Sequence, residues 1–277
     1  MRTRFAPSPT GRLHLGHAYS AWLAWERAVQ QGGEFLLRFE DIDHTRVRPE
    51  FYEGIEEDLR WLGLQWPQPA WRQLDRLAAY EEALARLRER GVLYPCFCTR
   101  RELAASAPQQ GDGAQLYPGT CRGLSAEERA AREAAGRGWA WRMDMARAAD
   151  LVGPLTFQEE SRGLVRVRPT LLGDPVLARK DIATSYHLAV VVDDAAQEVS
   201  EVVRGEDLLE STHIHRVLQV LLELPEPRYF HHPLVVDEGG QRLAKRHDAL
   251  AIATLREAGV SPEEVLRQAR LNVRRSA

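Results

Sequence analysis

The chain has 277 residues, enough for one large domain with an insertion or for two domains, and its 44% hydrophobic and 28% charged content is that of a globular protein, not a disordered one. A net charge of −3 excludes a global attraction to nucleic acid, so any RNA contact must use local basic patches such as Arg100-Arg101 or the run from Arg270 to Arg275. Three cysteines argue against a disulfide framework, and with neither an apolar leader nor a stretch of membrane-spanning length the sequence reads as cytoplasmic.

In chain order, Arg2 to Ala6 reads as a short strand, stopped by Pro7, Pro9 and Gly11. A helix is predicted from His17 to Gln31, where Ala21, Trp22, Trp25, Ala28 and Val29 recur at helical spacing and Gly32-Gly33 closes it. Strand, turn and helix start together offer unpaired N–H groups and a partial positive charge; Gly16 lets the backbone approach a ligand, and His14 and His17 can donate to phosphate oxygens. The same pattern also describes an ordinary turn with two incidental histidines. Glu34 to Phe39 suits a buried parallel strand and carries Glu40 to its carboxyl end, where ligands of open α/β sheets collect and where it can meet a substrate cation. Asp41 and Asp43 read as loop or capping residues. Pro49 opens a helix with Phe51, Ile55, Leu59 and Leu62 on one face, and a second runs from about Arg72 to Arg90 with Leu74, Leu77, Leu84 and Leu87 inward. Alternating strands and helices predict a doubly wound α/β fold.

Composition changes at Tyr94. Cys96 and Cys98, one residue apart, and Cys121 beyond a turn can converge on a tetrahedral metal such as zinc, leaving one position open, and no histidine lies between His44 and His187 to fill it. Spacing alone leaves a metal site and unliganded thiols both open. A helix from Ala126 to Ala135 and strands at Trp139 to Met143 and Leu164 to Val167 follow, with Arg142, Asp144 and Arg147 expected at the surface. The apolar run within Tyr186 to Asp194 reads as a strand covered on both faces. Val199 to Val203 reads as another, delivering Arg204, which on its own would be taken for a surface charge. A helix with Ile214, Val217, Leu218 and Leu221 inward comes next, then a strand, an acidic glycine turn and a basic loop between Pro233 and Ala249. Two short helices are expected after that, near Ile252 to Ala258 and after Ser261-Pro262.

The string Arg4-Phe5-Ala6-Pro7-Ser8-Pro9-Thr10-Gly11-Arg12-Leu13-His14-Leu15-Gly16-His17 resembles the signature of the class I glutamyl-tRNA synthetases, whose ATP-binding HIGH motif sits at this point of a Rossmann-type fold. Leu243-Ala244-Lys245-Arg246-His247 resembles their degenerate KMSKS loop, with Ala244 where a serine is commoner. The resemblance implies a class I aminoacyl-tRNA synthetase catalytic core in two halves, 1–93 and 181–225, around an insertion at 94–180 that holds a zinc site, with the KMSKS-like loop and a short helical C-terminal region at 226–277. It further implies ATP binding by Pro7, His14, Gly16, His17 and Lys245, with His14, His17 and Lys245 as the catalytic groups, and magnesium accompanying ATP. For glutamate it implies Arg4, Arg204 and Tyr186 around the side-chain carboxylate, Ser8 beside it and Glu40 on the ammonium.

C-x-C with Y-x-x-x-C looks like the zinc site of the shortened members of this family, which implies one structural zinc held by Cys96, Cys98, Tyr117 and Cys121. Only Asp248 to Ala277 follow the KMSKS-like loop, where full-length relatives carry a helical anticodon-binding region. That layout resembles the glutamyl-Q tRNA(Asp) synthetases, and implies a monomer that forms glutamyl-adenylate from ATP and L-glutamate and passes glutamate to the queuosine base of tRNA(Asp), with no membrane partner. The alternatives are a minimal conventional glutamyl-tRNA synthetase, a related nucleotidyltransferase that adenylylates a small acid without RNA, and a non-catalytic tRNA-binding relative.

Overall fold

The structure is a computed structural model that describes residues 1–99, 101–103, 116–236 and 251–274. The chain opens with β1 (Arg2–Phe5), α1 (Leu15–Gln30), β2 (Glu34–Phe39), α2 (Pro49–Trp61), β3 (Trp71–Arg72) and α3 (Leu77–Glu89). It continues through β4 (Leu93–Cys96), α4 (Ala126–Ala134), β5 (Ala140–Met143), α5 (Met145–Val152), β6 (Thr156–Glu159), β7 (Gly163–Arg166) and β8 (Val176–Arg179). Then come α6 (Tyr186–Ala196), β9 (Glu201–Gly205), α7 (Ser211–Leu221), β10 (Arg228–His232), β11 (Leu234–Val235), α8 (Ile252–Glu257), α9 (Pro262–Leu271) and β12 (Val273–Arg274).

β1, β2 and β3 pair in parallel in that order, and β9, β10 and β6 form a second parallel run edged by antiparallel β7. The two runs meet where β1 lies beside β9, the Ser200 N–H donating to the Arg2 carbonyl at 3.0 Å and the Arg4 guanidinium to the Val203 carbonyl at 3.2 Å. Strand order therefore reverses between β1 and β9, the switch point at which open α/β sheets leave a crevice. Residues 94–180 contribute to two sheets: β4, β5 and β8 form a separate antiparallel sheet, while β6 and β7 extend the parallel one.

Local chemistry explains most boundaries. Pro49 stands at the start of α2, where its missing N–H costs nothing, and Gly32 takes φ +60° just past α1, a backbone that a side chain would strain. α1 buries a stripe of small residues, Ala18, Ala21, Ala24 and Ala28, against the sheet, whereas Val29, expected on the same face, is 52% exposed. The predicted helix from Arg72 is interrupted: Gln73–Arg76 is a 3-10 turn, which shifts the register and leaves Leu74 and Leu77 exposed while Tyr80, Leu84 and Leu87 go inward.

The largest departure from the sequence reading is Tyr186 to Asp194, which is not a strand but the buried helix α6, with Leu188 to Val191 covered against α3 and α7. A continuous apolar run has no period with which to choose between a helix and a strand buried on every side, and tertiary burial outweighs the modest helix penalty of three valines. Arg142, expected at the surface, is only 8% exposed, because its guanidinium lies 3.9 Å over the Tyr117 ring and donates to the Asp174 carbonyl at 2.5 Å. Asp144 caps α5 by accepting from the Arg147 N–H. Among the described residues no helix is long and apolar enough to cross a membrane.

Candidate active site

A cavity of about 210 Å³ opens at the carboxyl ends of β1, β2, β9 and β10, walled by Phe5 and Ala6, Glu40, Val203 to Gly205 and His232, with the first turns of α1 and α6 supplying His14, His17 and Tyr186. Two of its glycines are close approaches. A Cβ at Gly16 would lie 3.0 Å from the His14 ring, and one at Gly205 would lie 2.4 Å from the Asp207 carboxylate. A larger residue at either position would force those side chains to shift.

His14 is the N-cap of α1. Its Nδ1 accepts the Gly16 N–H at 3.1 Å, the His17 Nδ1 accepts the His14 N–H at 3.2 Å, and the two rings lie 3.8 Å apart. This is a capping box built from histidines. An acceptor Nδ1 puts the proton of a neutral imidazole on Nε2, so both rings keep a donor beside a helix N-terminus that favours anions.

Around Arg4 and Glu40 the cavity carries a charge network. Asp194, at the end of α6, accepts from Arg4 Nε at 3.0 Å and from Arg38 Nη1 at 2.8 Å; Arg38, completely buried, also donates to Gln197 at 2.8 Å and lies 3.5 Å from Glu40. Burial alone would raise the Asp194 carboxyl, but the two guanidiniums outweigh it and hold it below the usual carboxylate range. Glu40 goes the other way: burial pushes it up to about 7 against the pull of Arg38 and Arg4, with Asp194 and Asp193 adding to the rise. It is a carboxylate poised to ionise when a cation arrives.

Arg204 is different from Arg4 and Arg38. It is 5% exposed, and its partners are the His231 Nε2 at 3.1 Å, the Tyr186 hydroxyl at 3.0 Å, the His215 Nδ1 at 3.3 Å and the Thr212 hydroxyl at 2.7 Å. Among the described residues no carboxylate lies within ion-pair distance of it. Burial keeps His231 at about 4 and His215 well below the usual imidazole range, so both are neutral. A buried guanidinium with no counter-charge is costly unless the site binds an anion.

Outside this cavity, the Cys96, Cys98 and Cys121 sulfurs all lie within 4.8 Å of one another. Cys98 and Cys121 are 3.5 Å apart, and the Tyr117 hydroxyl is 3.4 Å from Cys96, 3.8 Å from Cys98 and accepts the Cys121 N–H at 2.8 Å. Sulfurs sharing a tetrahedral zinc at ~2.3 Å sit about 3.8 Å apart, so the donor set fits such an ion. Burial and the Cys121 contact push the Cys98 thiol up to about 12, while for Cys121 the hydrogen bonds led by the Phe97 N–H outweigh burial and lower it. Neighbouring sulfurs competing for negative charge is what a bound cation relieves.

Of the residues expected at the pocket, Arg4, His14, Gly16, His17, Glu40, Tyr186 and Arg204 line it together. Pro7 and Ser8 do not: Pro7 is buried, its carbonyl accepting the Glu40 N–H at 3.0 Å, and Ser8 is exposed. Lys245 and the rest of the KMSKS-like loop lie outside the described residues. Sequence reasoning missed Arg38, Asp194, Thr212, His215, His231 and His232. A signal existed in the acidic pair that ends the apolar run of α6, and in the histidine pairs His213-x-His215 and His231-His232.

The family model "tRNA synthetases class I (E and Q), catalytic domain" matches residues 1–274. The glutamyl-Q tRNA(Asp) synthetase of Rhodobacter capsulatus is 50% identical over 280 residues, covering 96% of this chain and 99% of that protein. The glutamate–tRNA ligase 2 of Syntrophus aciditrophicus is 37% identical, covering 96% of this chain but 56% of its own. The crystal structure of a glutamate tRNA ligase from Elizabethkingia meningosepticum in complex with its amino acid superposes with a TM-score of 0.75 at 30% identity, over 89% of this chain and 52% of that one, so the chain spans about half of the solved ligase. The histidine-capped helix start and the cavity at the β1/β9 switch point thus stand inside a match that runs almost from end to end, and the chain belongs to the class I tRNA synthetases for glutamate and glutamine.

Proposed function

We propose that the protein activates L-glutamate with ATP and transfers it to the queuosine base of tRNA(Asp), acting as a cytoplasmic monomer. The observation that carries the amino-acid reading is Arg204, a buried cation that lines the cavity and has no counter-charge among the described residues. An anionic side chain would complete it, and a neutral glutamine amide would not. Glu40 then receives the ammonium, while Tyr186 and Arg4 flank the side-chain carboxylate. Ser8 would act from beside the cavity, and Pro7 would shape the turn under the nucleotide.

The α-carboxylate of glutamate attacks the α-phosphorus of ATP, the bond to the β-phosphate oxygen breaks, and pyrophosphate leaves with the electron pair. A hydroxyl of the queuosine ring next attacks the carbonyl of the adenylate, losing its proton, and AMP departs. The protein's work is to position reactants and stabilise phosphate charge, and the Nε2–H donors of His14 and His17 at the α1 N-terminus suit that task. Magnesium accompanies ATP, held mainly by phosphate oxygens. Lys245 is proposed as the third donor, and Lys245→Ala is expected to cut ATP–pyrophosphate exchange roughly tenfold to a thousandfold with little change in thermal unfolding. We assign the cysteine cluster one structural zinc, with Tyr117 as fourth ligand.

The acceptor reading is supported by identity: the relative named for tRNA(Asp) is 50% identical to this chain, the glutamate–tRNA ligase 37%. The test is incubation with labelled glutamate, ATP and tRNA(Asp) prepared with or without queuosine. Label is expected only on the queuosine-containing tRNA. Equal labelling of both, or efficient labelling of tRNA(Glu), favours a minimal conventional synthetase instead.

A further inference from the structure

The partners to which Arg204 donates are all uncharged, and the tautomers of that shell follow from its geometry. A guanidinium has donors only, so the His215 Nδ1 facing it at 3.3 Å must accept. The proton of neutral His215 is then on Nε2, which lies 3.2 Å from the His187 Nδ1, and His187 in turn carries its own proton on Nε2. On the opposite side the His231 Nε2 accepts from Arg204 Nε, which places the His231 proton on Nδ1, 3.7 Å from Glu159. The ring of His231 thus stands between Glu159 and the guanidinium. Burial holds His215 and His187, the latter at about 4, in the neutral state that this chain of donors requires.

The contrast with Arg4 and Arg38 gives the shell a purpose. Those two share Asp194 as a counter-charge, while Arg204, about as deeply buried, has none among the described residues. We propose that His215, backed by His187, is a positioning residue that sets amino-acid specificity by fixing Arg204 without neutralising it, so that its full charge is left for the carboxylate of the incoming amino acid. The inference rests on the glutamate reading above. It adds that the neutrality of the shell, and not only the presence of the arginine, is what separates an acid from its amide. An acidic acceptor in the shell would hold Arg204 as well or better but would satisfy its charge internally.

Two nearly isosteric variants test this. His215→Asn keeps an oxygen acceptor where Nδ1 stands and adds no charge; His215→Asp puts a carboxylate in the same place. His215→Asn is expected to raise the KM for L-glutamate about threefold, the scale of one adjusted hydrogen bond. His215→Asp should raise it on the order of 100-fold, with the KM for ATP little changed and the preference for L-glutamate over L-glutamine falling by a similar factor. The thermal midpoint provides a readout without substrate: His215→Asp should unfold at or above the temperature of His215→Asn, because it supplies the missing counter-charge. Equal glutamate KM values and equal discrimination in the two variants would overturn the proposal, as would an aspartate variant that is less stable than the asparagine one or does not fold. If the unmodified protein showed no glutamate-dependent exchange while the aspartate variant was still the more stable, the glutamate reading would fail and the uncompensated charge would stand.

Discussion

Around α1, β1 and β2 a continuous apolar cluster runs from Phe5 and Leu13 through Phe39 and Ile55 to Val265, and the charged network of Arg4, Arg38 and Asp194 is set against it. Around the cysteines the buried cluster consists of Tyr94, Cys96, Phe97 and Cys121, two of which are themselves thiols, and the neighbouring helix α4 buries no residue. The first region is held by burial of apolar surface, so its ionised groups are available for recognition. The second has too little core for that, and the zinc proposed for its three sulfurs would do the work of burial.

Arg204→Leu puts the first half of this contrast under the most stress. Glutamate-dependent exchange should fall on the order of a thousandfold, while the thermal midpoint should hold, since removing an unpaired buried cation relieves a cost. A large drop in the midpoint would mean that pocket charges help to hold the sheet. Metal removal by a chelator addresses the second half. Amide hydrogen exchange in β4, β5 and the Cys121 turn is expected to speed up on the order of a hundredfold, with β1 and β2 staying protected; loss of protection in β1 as well would erase the distinction.

A smaller effect is expected from Glu40. Its carboxyl titrates at about 7, so it is neutral below that pH and ionised above it. Binding of an ammonium favours the ionised form, and the affinity for glutamate should therefore weaken as pH falls, by about tenfold between pH 7.5 and 6. Glu40→Gln should flatten that profile, and an unchanged slope in the variant would assign the titration elsewhere. The least change is expected from Ser125→Ala. Ser125 accepts the Glu128 N–H at 3.1 Å and caps α4, so its loss should cost about 1 kcal/mol, confined to the amides of that helix in hydrogen exchange.

What could be read from the sequence was local. The β1–turn–α1 unit, the glycine stop after α1 and the Cys96-x-Cys98 pair each declare themselves within a few residues, because capping, turn formation and the spacing of paired thiols depend on near neighbours. Arg204 was legible as a strand-end arginine, but its shell was not, since Thr212, His215 and His231 come from two other elements. The Arg4–Asp194 pair joins residues 190 positions apart. No periodicity carries such a link. α6 was misread for a related reason: burial on all sides erases the polar face from which a helix is recognised, so an apolar run of valines reads as a strand.

The tandem Asp193 and Asp194 constrain how this protein can change over generations. Asp194 serves Arg4 and Arg38, while Asp193 accepts from Gln73 at 3.0 Å, Arg76 at 2.6 Å and Tyr80 at 2.7 Å. Replacing Asp194 strands Arg4, which has no other ion-pair partner among the described residues, at a cost of about 3–5 kcal/mol, comparable to the whole margin of many folds. Single steps away from Asp194 therefore descend steeply, and a lineage can keep it or exchange several members together but cannot drift away from it alone.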